Sequence, residues 1–209
     1  RHRDDKDVAA IERGRFGGVL HHVSSVAVAG DFAGRFDERH FDEGQRHPHA
    51  YQRTKFESER LVRGSALRFR IYRPAAVVGH SETGRADRVD GPYFYFKPIQ
   101  RMARALPAWF PLFARTQTPF NMVPVDFVGE AIAALALSDQ PDAAVYHLVD
   151  PNPPRFWEMI NLFSAAANGP RLRNSRMLRT GMNMVATGIG ELGGLRFYRQ
   201  ELLRDLGVP

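Results

Sequence analysis

The chain has 209 residues, of which 44% are hydrophobic and 25% charged, an ordinary balance for a globular protein of one or two domains. It contains no cysteine, which excludes disulfides and thiolate metal sites. The net charge of +6 comes mostly from arginines scattered along the chain, so we expect a solvated basic surface and no nucleic-acid partner. No apolar run is long enough for a membrane span and no signal peptide opens the chain, so we expect a soluble cytoplasmic protein.

Residues 1–17 start with a run of charged residues, for which we expect a frayed tail or the remnant of a helix. The apolar run that follows, from Gly18 to Val23, predicts a buried strand that ends at Ser24 and Ser25. Open α/β sheets bind ligands at the carboxyl ends of their strands, so these hydroxyls are expected at a functional edge.

The segment from Asp31 to Pro48 is polar and predicts a loop. Histidines and carboxylates are dense in and just after it, which raises the question of a metal site. Their spacing matches no compact ligand set, so we expect a solvated loop and no metal. The residues concerned are His40, His47, His49, Asp37, Glu38, Asp42 and Glu43.

A Tyr and a Lys four residues apart lie in the next segment, Ala50 to Arg63, for which we predict a helix that begins after Pro48. One face of that helix would carry both Tyr51 and Lys55. An ammonium beside a phenol favours the phenolate, so such a phenol can exchange protons near neutral pH. The alternative is that Tyr51 is a helix-start aromatic and Lys55 a solvated charge.

The order of these motifs, Ser-Ser-Val-Ala-Val-Ala-Gly at a strand end and then Tyr-x-x-x-Lys at a helix start, resembles the extended short-chain dehydrogenase/reductase superfamily. The resemblance implies that Ser25 holds the substrate oxygen, with Ser24 as its structural neighbour. It also implies that Tyr51 is the general acid/base and that Lys55 binds the nicotinamide ribose and tunes the phenol. The implied fold is α/β, a doubly wound (Rossmann-like) parallel sheet with a small, mainly helical substrate-binding cap.

A dinucleotide-binding sheet of this kind opens with a glycine-rich turn that cradles the cofactor pyrophosphate. Residues 1–17 contain no such turn. We therefore expect an incomplete sheet, the C-terminal part of the fold, in a fragment or a truncated gene product that is inactive by itself.

The segment from Leu67 to Gly79 alternates apolar and charged residues, then becomes apolar, and predicts one strand. Its end, Arg-Pro-Ala-Ala-Val-Val-Gly, resembles the family's Arg-Pro-x-x-Val-x-Gly segment, whose backbone meets the nicotinamide carboxamide. The resemblance adds Pro74 and Val77 to Tyr51 and Lys55 as cofactor-binding residues. A strand ended by Pro and Gly for structural reasons alone is the alternative.

The stretch after this strand narrows the resemblance. Residues 80–85, His-Ser-Glu-Thr-Gly-Arg, resemble the Ser/Thr-x-x-Gly turn of the thioester-reductase and fatty-acyl-reductase branch. Residues 91–99 and 106–113 are dense in aromatic residues and proline, so we predict neither regular strands nor helices there. They suit an irregular wall or lid around an apolar ligand, and ordinary core of a cap domain is the alternative.

The remaining elements follow from periodicity. We predict an amphipathic helix from Asn121 to Leu137 with Asp126 as N-cap or first-turn acid, a last strand at Val145 to Val149, and a helix from Arg155 to Ala167. The tail from Arg171 to Pro209, with Met177, Met182 and Met184, has weak helical periodicity. The resulting domains are 1–17 as a tail, 18–150 as the C-terminal half of an NAD(P)-binding domain with a cap insertion at about 81–120, and 151–209 as a helical substrate-side region.

The resemblance implies an oxidoreductase that uses NADP or NAD to reduce an acyl thioester, aldehyde or ketone by hydride transfer at Ser25, Tyr51 and Lys55. A sugar-nucleotide epimerase/dehydratase or a hydroxysteroid dehydrogenase of the same fold stays open, as does a catalytically dead fragment that cannot bind the dinucleotide. The implied partner is a small molecule, apolar or acyl in character. A homodimer through the helix that carries Tyr51 is left open.

Overall fold

The computed structural model describes residues 17–86, 91–110, 112–114 and 118–174. Most of the tail predicted to be helical from Arg171 to Pro209, including its three methionines, lies outside the described residues, and so does the tail at residues 1–16. The elements in chain order are β1 (Val19–Val23), a 3₁₀ helix (Val26–Ala29), α1 (Ala50–Arg63), β2 (Arg68–Pro74), β3 (Ala76–Val78), a 3₁₀ helix (Gly91–Tyr95), α2 (Phe96–Ala105), β4 (Leu112–Ala114), β5 (Met122–Pro124), α3 (Val125–Leu137), β6 (Ala144–Leu148), α4 (Phe156–Ala166) and β7 (Leu172–Asn174).

The chain divides into two compact units. The first unit comprises Arg1–Ala86 and Met122–Asp150, and the second comprises Asp87–Asn121 and Pro151–Pro209. No helix in the described ranges is long and apolar enough to cross a membrane.

A parallel sheet forms the core of the first unit. Its strands lie in the order β1, β2, β6, and a second parallel pair joins β3 to β5. The central strand β2 is buried at every position except Arg68, as expected for a parallel strand covered on both faces.

Side chains along β2 alternate between the two faces of this sheet. Phe69 and Ile71 pack with Val62 of α1 in one hydrophobic cluster. Tyr72, from the opposite face, packs with Val128 of α3 in another. The two helices therefore cover opposite faces of the sheet. A charged side chain on β2 is buried under one of them and needs a hydrogen-bond partner there.

Arg70 is such a charge, because it is only 6% exposed. Its Nη1 donates to the carbonyl oxygens of Leu135 at 2.7 Å and Ser138 at 3.2 Å, and its Nη2 donates to that of Gln140 at 2.7 Å. The last carbonyls of a helix have no partner within the helix, and a cation there also opposes the negative end of the helix dipole. Arg70 thus caps α3 from the sheet.

The helix α1 has the predicted bounds. Pro48 precedes it, and the backbone N–H of His49 at its start donates to Gln52 Oε1 at 3.3 Å. Its buried face carries Phe56, Glu59 and Val62. A carboxylate in that row requires buried donors, and these are described with the candidate site.

Two predicted elements of the first unit have different bounds in the structure. The strand predicted from Leu67 to Gly79 is divided into β2 and β3. Pro74 is the last residue in register with β6, the N–H of Ala75 still donates to the Leu148 carbonyl oxygen at 3.1 Å, and from Ala76 the chain pairs with β5. The helix predicted from Asn121 begins only at Val125, since the three residues before it form β5.

The second unit contradicts the prediction that residues 91–99 lack regular structure. They form a 3₁₀ helix and the start of α2. The ring of Phe96 stacks on Phe163 of α4 at 4.4 Å between centroids, and Tyr95 meets Phe156 edge-on at 5.2 Å. Because these rings pack against a second helix, tertiary contacts outweigh their modest helix propensity. A parallel pair of short strands, β4 with β7, completes the unit. The segment predicted to be irregular at 106–113 therefore ends in a strand that begins at Leu112, and the tail predicted to be helical from Arg171 begins with a strand.

Candidate active site

Two serines follow β1 at the carboxyl edge of the sheet, and their hydroxyls have different partners. Ser24 is 2% exposed, and its Oγ donates to Glu59 Oε2 at 2.6 Å. Ser25 has an extended backbone (φ −162°, ψ 153°), and its Oγ accepts the N–H of Ala27 at 3.2 Å as the cap of the 3₁₀ helix. A hydroxyl that accepts in this way keeps its own hydrogen to donate. Ser25 is therefore the serine able to donate to a ligand.

Tyr51 and Lys55 lie one turn apart on α1. The side chain of Tyr51 is in the first turn and 57% exposed. Lys55 Nζ donates to the carbonyl oxygen of Val23, the last residue of β1, at 3.1 Å. This bond joins α1 to the end of β1, so the structure brings Lys55 beside the chain that carries Ser24 and Ser25.

Pro74 and Val77 lie on neighbouring strands. Pro74 is the buried last residue of β2, in register with Leu148. Because Val23 pairs with Tyr72, Ser25 and Pro74 each lie two residues beyond the same rung of the sheet. Val77 is the middle residue of β3, and its side chain is 38% exposed. All the predicted site residues therefore belong to the first unit, on α1 or near strand ends, and their roles stay predictions.

A buried ion pair that the sequence did not reveal lies beneath this edge. Glu59 and Arg73 are both 0% exposed, and the guanidinium grips the carboxylate with two bonds, Nη2 to Oε1 at 2.6 Å and Nε to Oε2 at 3.1 Å. Arg63 Nε adds a bond of 2.9 Å to Oε1. Burial pushes the pKa of the Glu59 carboxyl upward, but the hydrogen bonds from Arg73, Ser24 and Arg63 outweigh it and hold that pKa below its ordinary value. Glu59 is thus a carboxylate.

Arg73 also reaches the loop before α1. Its Nη2 donates to the carbonyl oxygen of His40 at 3.0 Å and its Nη1 approaches that of Asp37 at 3.5 Å. The same Nη1 lies 3.2 Å from His147 Nε2. Burial lowers the pKa of His147, and the neighbouring guanidinium lowers it further, against the opposing effect of Glu38. A neutral ring can accept the Arg73 bond at Nε2, so one arginine connects α1, the loop and β6.

The spacing of residues along α1 could have indicated one member of this ion pair, Glu59. Glu59 is four residues after Lys55 and eight after Tyr51, so all three share a face of α1. A Glu in the row of Phe56 and Val62 indicates a buried charge, but nothing local identifies Arg73 as its partner.

The loop from residue 31 to 48 contains no helix or strand, as predicted, but part of it is packed rather than solvated. Phe41 stacks on Phe56 of α1 at 4.7 Å between centroids, and the His47 ring lies 4.3 Å from Phe56. Gln45 Nε2 donates to the carbonyl oxygens of Val28 at 3.0 Å and Phe41 at 2.7 Å. Among the residues that the structure describes, no three His, Asp or Glu side chains could hold a metal ion together.

The turn at residues 80–85 is fastened to the start of α3. Asp126 accepts the N–H of Ser81 at Oδ1 (2.9 Å) and its hydroxyl at Oδ2 (2.5 Å). These bonds lower the pKa of Asp126. Within the turn, the N–H of Gly84 donates to the carbonyl oxygen of His80 at 2.8 Å, and its φ of 66° suits glycine. Asp126 therefore lies in the first turn of α3, as predicted, and its carboxylate holds the turn instead of capping the helix.

Residues 10–132 match the NAD-binding family described as male sterility protein. The aldehyde reductase lnbA of Aspergillus flavus is 28% identical over 146 residues, which is 64% of this chain and 14% of that protein. The terminal R domain of the myxalamid PKS-NRPS biosynthetic pathway is 29% identical with a TM-score of 0.63, over 91% of this chain and 46% of that one.

A more distant solved structure, the reductase domain of the aureusimine biosynthetic cluster, has a TM-score of 0.68 at 16% identity and covers 99% of this chain and 52% of its own. At that identity the likeness shows the fold alone, and it confirms the predicted Rossmann-like α/β class. The chain spans about half the length of these two solved structures and 14% of the aldehyde reductase.

Proposed function

The chain belongs to the male sterility protein family of NAD-binding domains, in the thioester-reductase branch of the extended short-chain dehydrogenase/reductases, and from this we propose that it carries the catalytic residues of an NAD(P)-dependent reductase. The proposed substrate is a small carbonyl compound: an acyl thioester, an aldehyde or a ketone. The observation that supports it best is the bond from Lys55 Nζ to the Val23 carbonyl oxygen. That bond holds the helix bearing an exposed Tyr51 next to the serine that can still donate a hydrogen bond.

The Lys55 ammonium has the hydrogen-bond donors that the hydroxyls of a nicotinamide ribose require. An ammonium has three hydrogens to donate, and the bond to Val23 uses one of them. The others remain for ribose hydroxyls, with Tyr51 one turn away on the same helix face. In this proposal Pro74 and Val77 contribute the backbone that lies against the carboxamide. When bound, the dinucleotide supplies the hydride.

In this proposal, side chains of this chain bind and protonate the substrate's carbonyl oxygen. Ser25 donates its hydrogen to the carbonyl oxygen and fixes its place. Tyr51 gives its phenolic proton to the same oxygen as negative charge develops there, and the Lys55 ammonium stabilises the phenolate that remains. A general acid placed in this way usually contributes about 10²–10⁴-fold to the rate.

The second unit is the proposed substrate-binding cap. Tyr95 and Phe96 are committed to contacts with α4, which favours cap core over a ligand wall for that stretch. Trp109 is 80% exposed and Phe110 is 38% exposed. Of the two aromatic segments in this unit, the later one therefore carries these exposed rings.

The test is Tyr51→Phe in the full-length protein, assayed with NADPH and a set of acyl thioesters and aldehydes. Because the phenol is exposed, the variant should melt like the wild type, while turnover falls about 10²–10⁴-fold. Tyr146→Phe is the matched control, since it removes a hydroxyl that donates to Gln140 Oε1 at 3.2 Å on β6. Full activity of Tyr51→Phe would refute the proposed role of Tyr51 as proton donor. An equal loss of turnover in both variants would mean that losing a hydroxyl affects the structure and not the chemistry.

A binding measurement addresses the dead-fragment alternative. NADPH and NADH are titrated separately into the 209-residue chain and into the full-length protein. Binding by the full-length protein supports the reductase. No binding to either protein at millimolar cofactor would leave only the reading that this chain is catalytically dead.

A further inference from the structure

Ser24, Glu59 and Arg73 have no part in the proposed proton transfer, yet they are the most deeply buried polar groups near it. Glu59 and Arg73 are 0% exposed and Ser24 is 2% exposed. Burying two charges is costly, and an apolar pair of similar volume is often as stable. Stability alone is thus a weak reason for this pair, and its contacts indicate another.

The backbone that leads to Ser25 is held at successive points. The Val23 carbonyl oxygen accepts from Lys55 Nζ at 3.1 Å. The Ser24 N–H donates to the Tyr72 carbonyl oxygen at 2.8 Å, and the Ser24 Oγ donates to Glu59 at 2.6 Å. Two of these holds come from α1, the helix that also carries Tyr51. The helix that carries the Tyr51 phenol therefore also fixes the backbone that leads to Ser25.

Arg73 fixes the carboxylate that receives the Ser24 hydroxyl. A bidentate guanidinium leaves a carboxylate little freedom to rotate, and here the guanidinium is itself bound to the carbonyl oxygen of His40 and beside that of Asp37. The loop and α1 thus share one buried anchor. Without it, the Ser24 hydroxyl would lose a fixed acceptor.

We infer that Glu59, clamped by Arg73, is a positioning residue that acts through the Ser24 hydroxyl to set the Ser25 hydroxyl opposite the Tyr51 face. This inference rests on the proposed function, because it concerns the same site. A displacement of about 1 Å at a reacting group can cost about 10²-fold in rate. Because Lys55 and the Tyr72 carbonyl still hold the backbone when the Ser24 hydroxyl is removed, we expect Ser24→Ala to lower kcat about tenfold.

The test is a cycle of Ser24→Ala and Ser25→Ala in the full-length protein, with kcat, NADPH Kd and Tm measured for each variant. If Ser24 acts through Ser25, Ser24→Ala lowers kcat in the wild-type background, leaves Kd for NADPH unchanged, and has no further effect once Ser25 is alanine. A merely structural role would lower kcat by the same factor in both backgrounds and would overturn the inference.

Ser164→Ala is the matched control. Its hydroxyl is 0% exposed and donates to the Pro170 carbonyl oxygen at 2.6 Å in the second unit. It should lower Tm without changing kcat, and a tenfold loss of kcat in this variant would overturn the inference by showing that any buried serine gives the same result.

Glu59→Gln is the second variant, because it keeps the shape of the side chain and removes its charge. It should reproduce the kcat loss of Ser24→Ala, and full activity would overturn the inference. Where Glu59→Gln does not fold, the serine cycle decides alone. Tyr51→Phe separates the two claims. If Tyr51→Phe is inactive and Ser24→Ala is fully active, the positioning role is refuted and the reductase function stands. If Tyr51→Phe and Ser25→Ala are both fully active, the proposed function itself is refuted.

Discussion

Replacing Arg73 by Met keeps a long side chain and removes its charge, leaving Glu59 buried. Removing one partner of a buried ion pair costs about 3–5 kcal/mol, because the other charge stays behind without its counterion. Glu59 would keep its bonds from Ser24 and from Arg63. The expected loss in the free energy of unfolding therefore lies at the lower end, about 3 kcal/mol. For a chain of this length that lowers Tm by about 6–12 °C.

The measurement is a thermal melt of the 209-residue chain at pH 7, followed by circular dichroism. Arg68→Met is the matched control from the same strand, since Arg68 Nε bonds to Asp142 Oδ2 at 2.7 Å and the two side chains are 59% and 45% exposed. Surface pairs contribute little, so this control should melt within about 2 °C of the wild type. The double variant Glu59→Leu/Arg73→Met removes both charges and should recover most of the lost Tm.

An Arg73→Met variant that melts like Arg68→Met would refute the reasoning, because it would mean that the Glu59 carboxylate does not need the guanidinium. A double variant that recovers none of the Tm lost by Arg73→Met would refute it differently. In that case the loss would come from packing of the arginine stem and not from the stranded charge.

Two further predictions concern proton exchange. Lys55→Met in the full-length protein should move the pH–rate profile to higher pH and weaken NADPH binding together, since one ammonium serves both roles; unchanged NADPH affinity, measured by titration, would count against the assignment. Because burial lowers the pKa of His147 from its ordinary 6.5, the unfolded chain binds this proton more readily than the folded chain, and stability should decline as the pH falls below 6.5. In melts of the 209-residue chain between about pH 7.5 and 5, His147→Gln should therefore lose less Tm than the wild type, and identical slopes would contradict the pKa shift.

The helix α1 and the strand β1 could be predicted because each has an unambiguous local signal. Pro48 marks the start of α1, and the serines end a run of Val, Leu and His residues. The predicted burial of β1 was wrong, because its residues are half-buried or, at His21 and Val23, exposed. The prediction for residues 91–99 failed because Tyr95 and Phe96 are placed by contacts with α4 that come some sixty residues later in the chain. Local pattern carries no information about such partners.

The candidate site, too, could be predicted from the sequence only in part. The Tyr51–Lys55 spacing follows from the helical repeat alone, so the sequence was sufficient to group them. The pairing of Glu59 with Arg73 depends on β2 lying beneath α1, which is a property of the topology. A Glu and an Arg in sequence are ordinarily solvated charges. The helical row of Glu59 indicates that this Glu is buried, but only the sheet shows that Arg73 is its partner.

Arg70 has a consequence for the order in which the first unit comes apart. The last turn of a helix is usually the first part to fray, and α3 has no basic residue in its own last turn to hold it. Its final carbonyls are bound instead by a guanidinium rooted in the central strand. Unwinding the end of α3 while β2 keeps its place would break these bonds to a buried guanidinium, so we expect the helix end and the sheet to open as one cooperative unit.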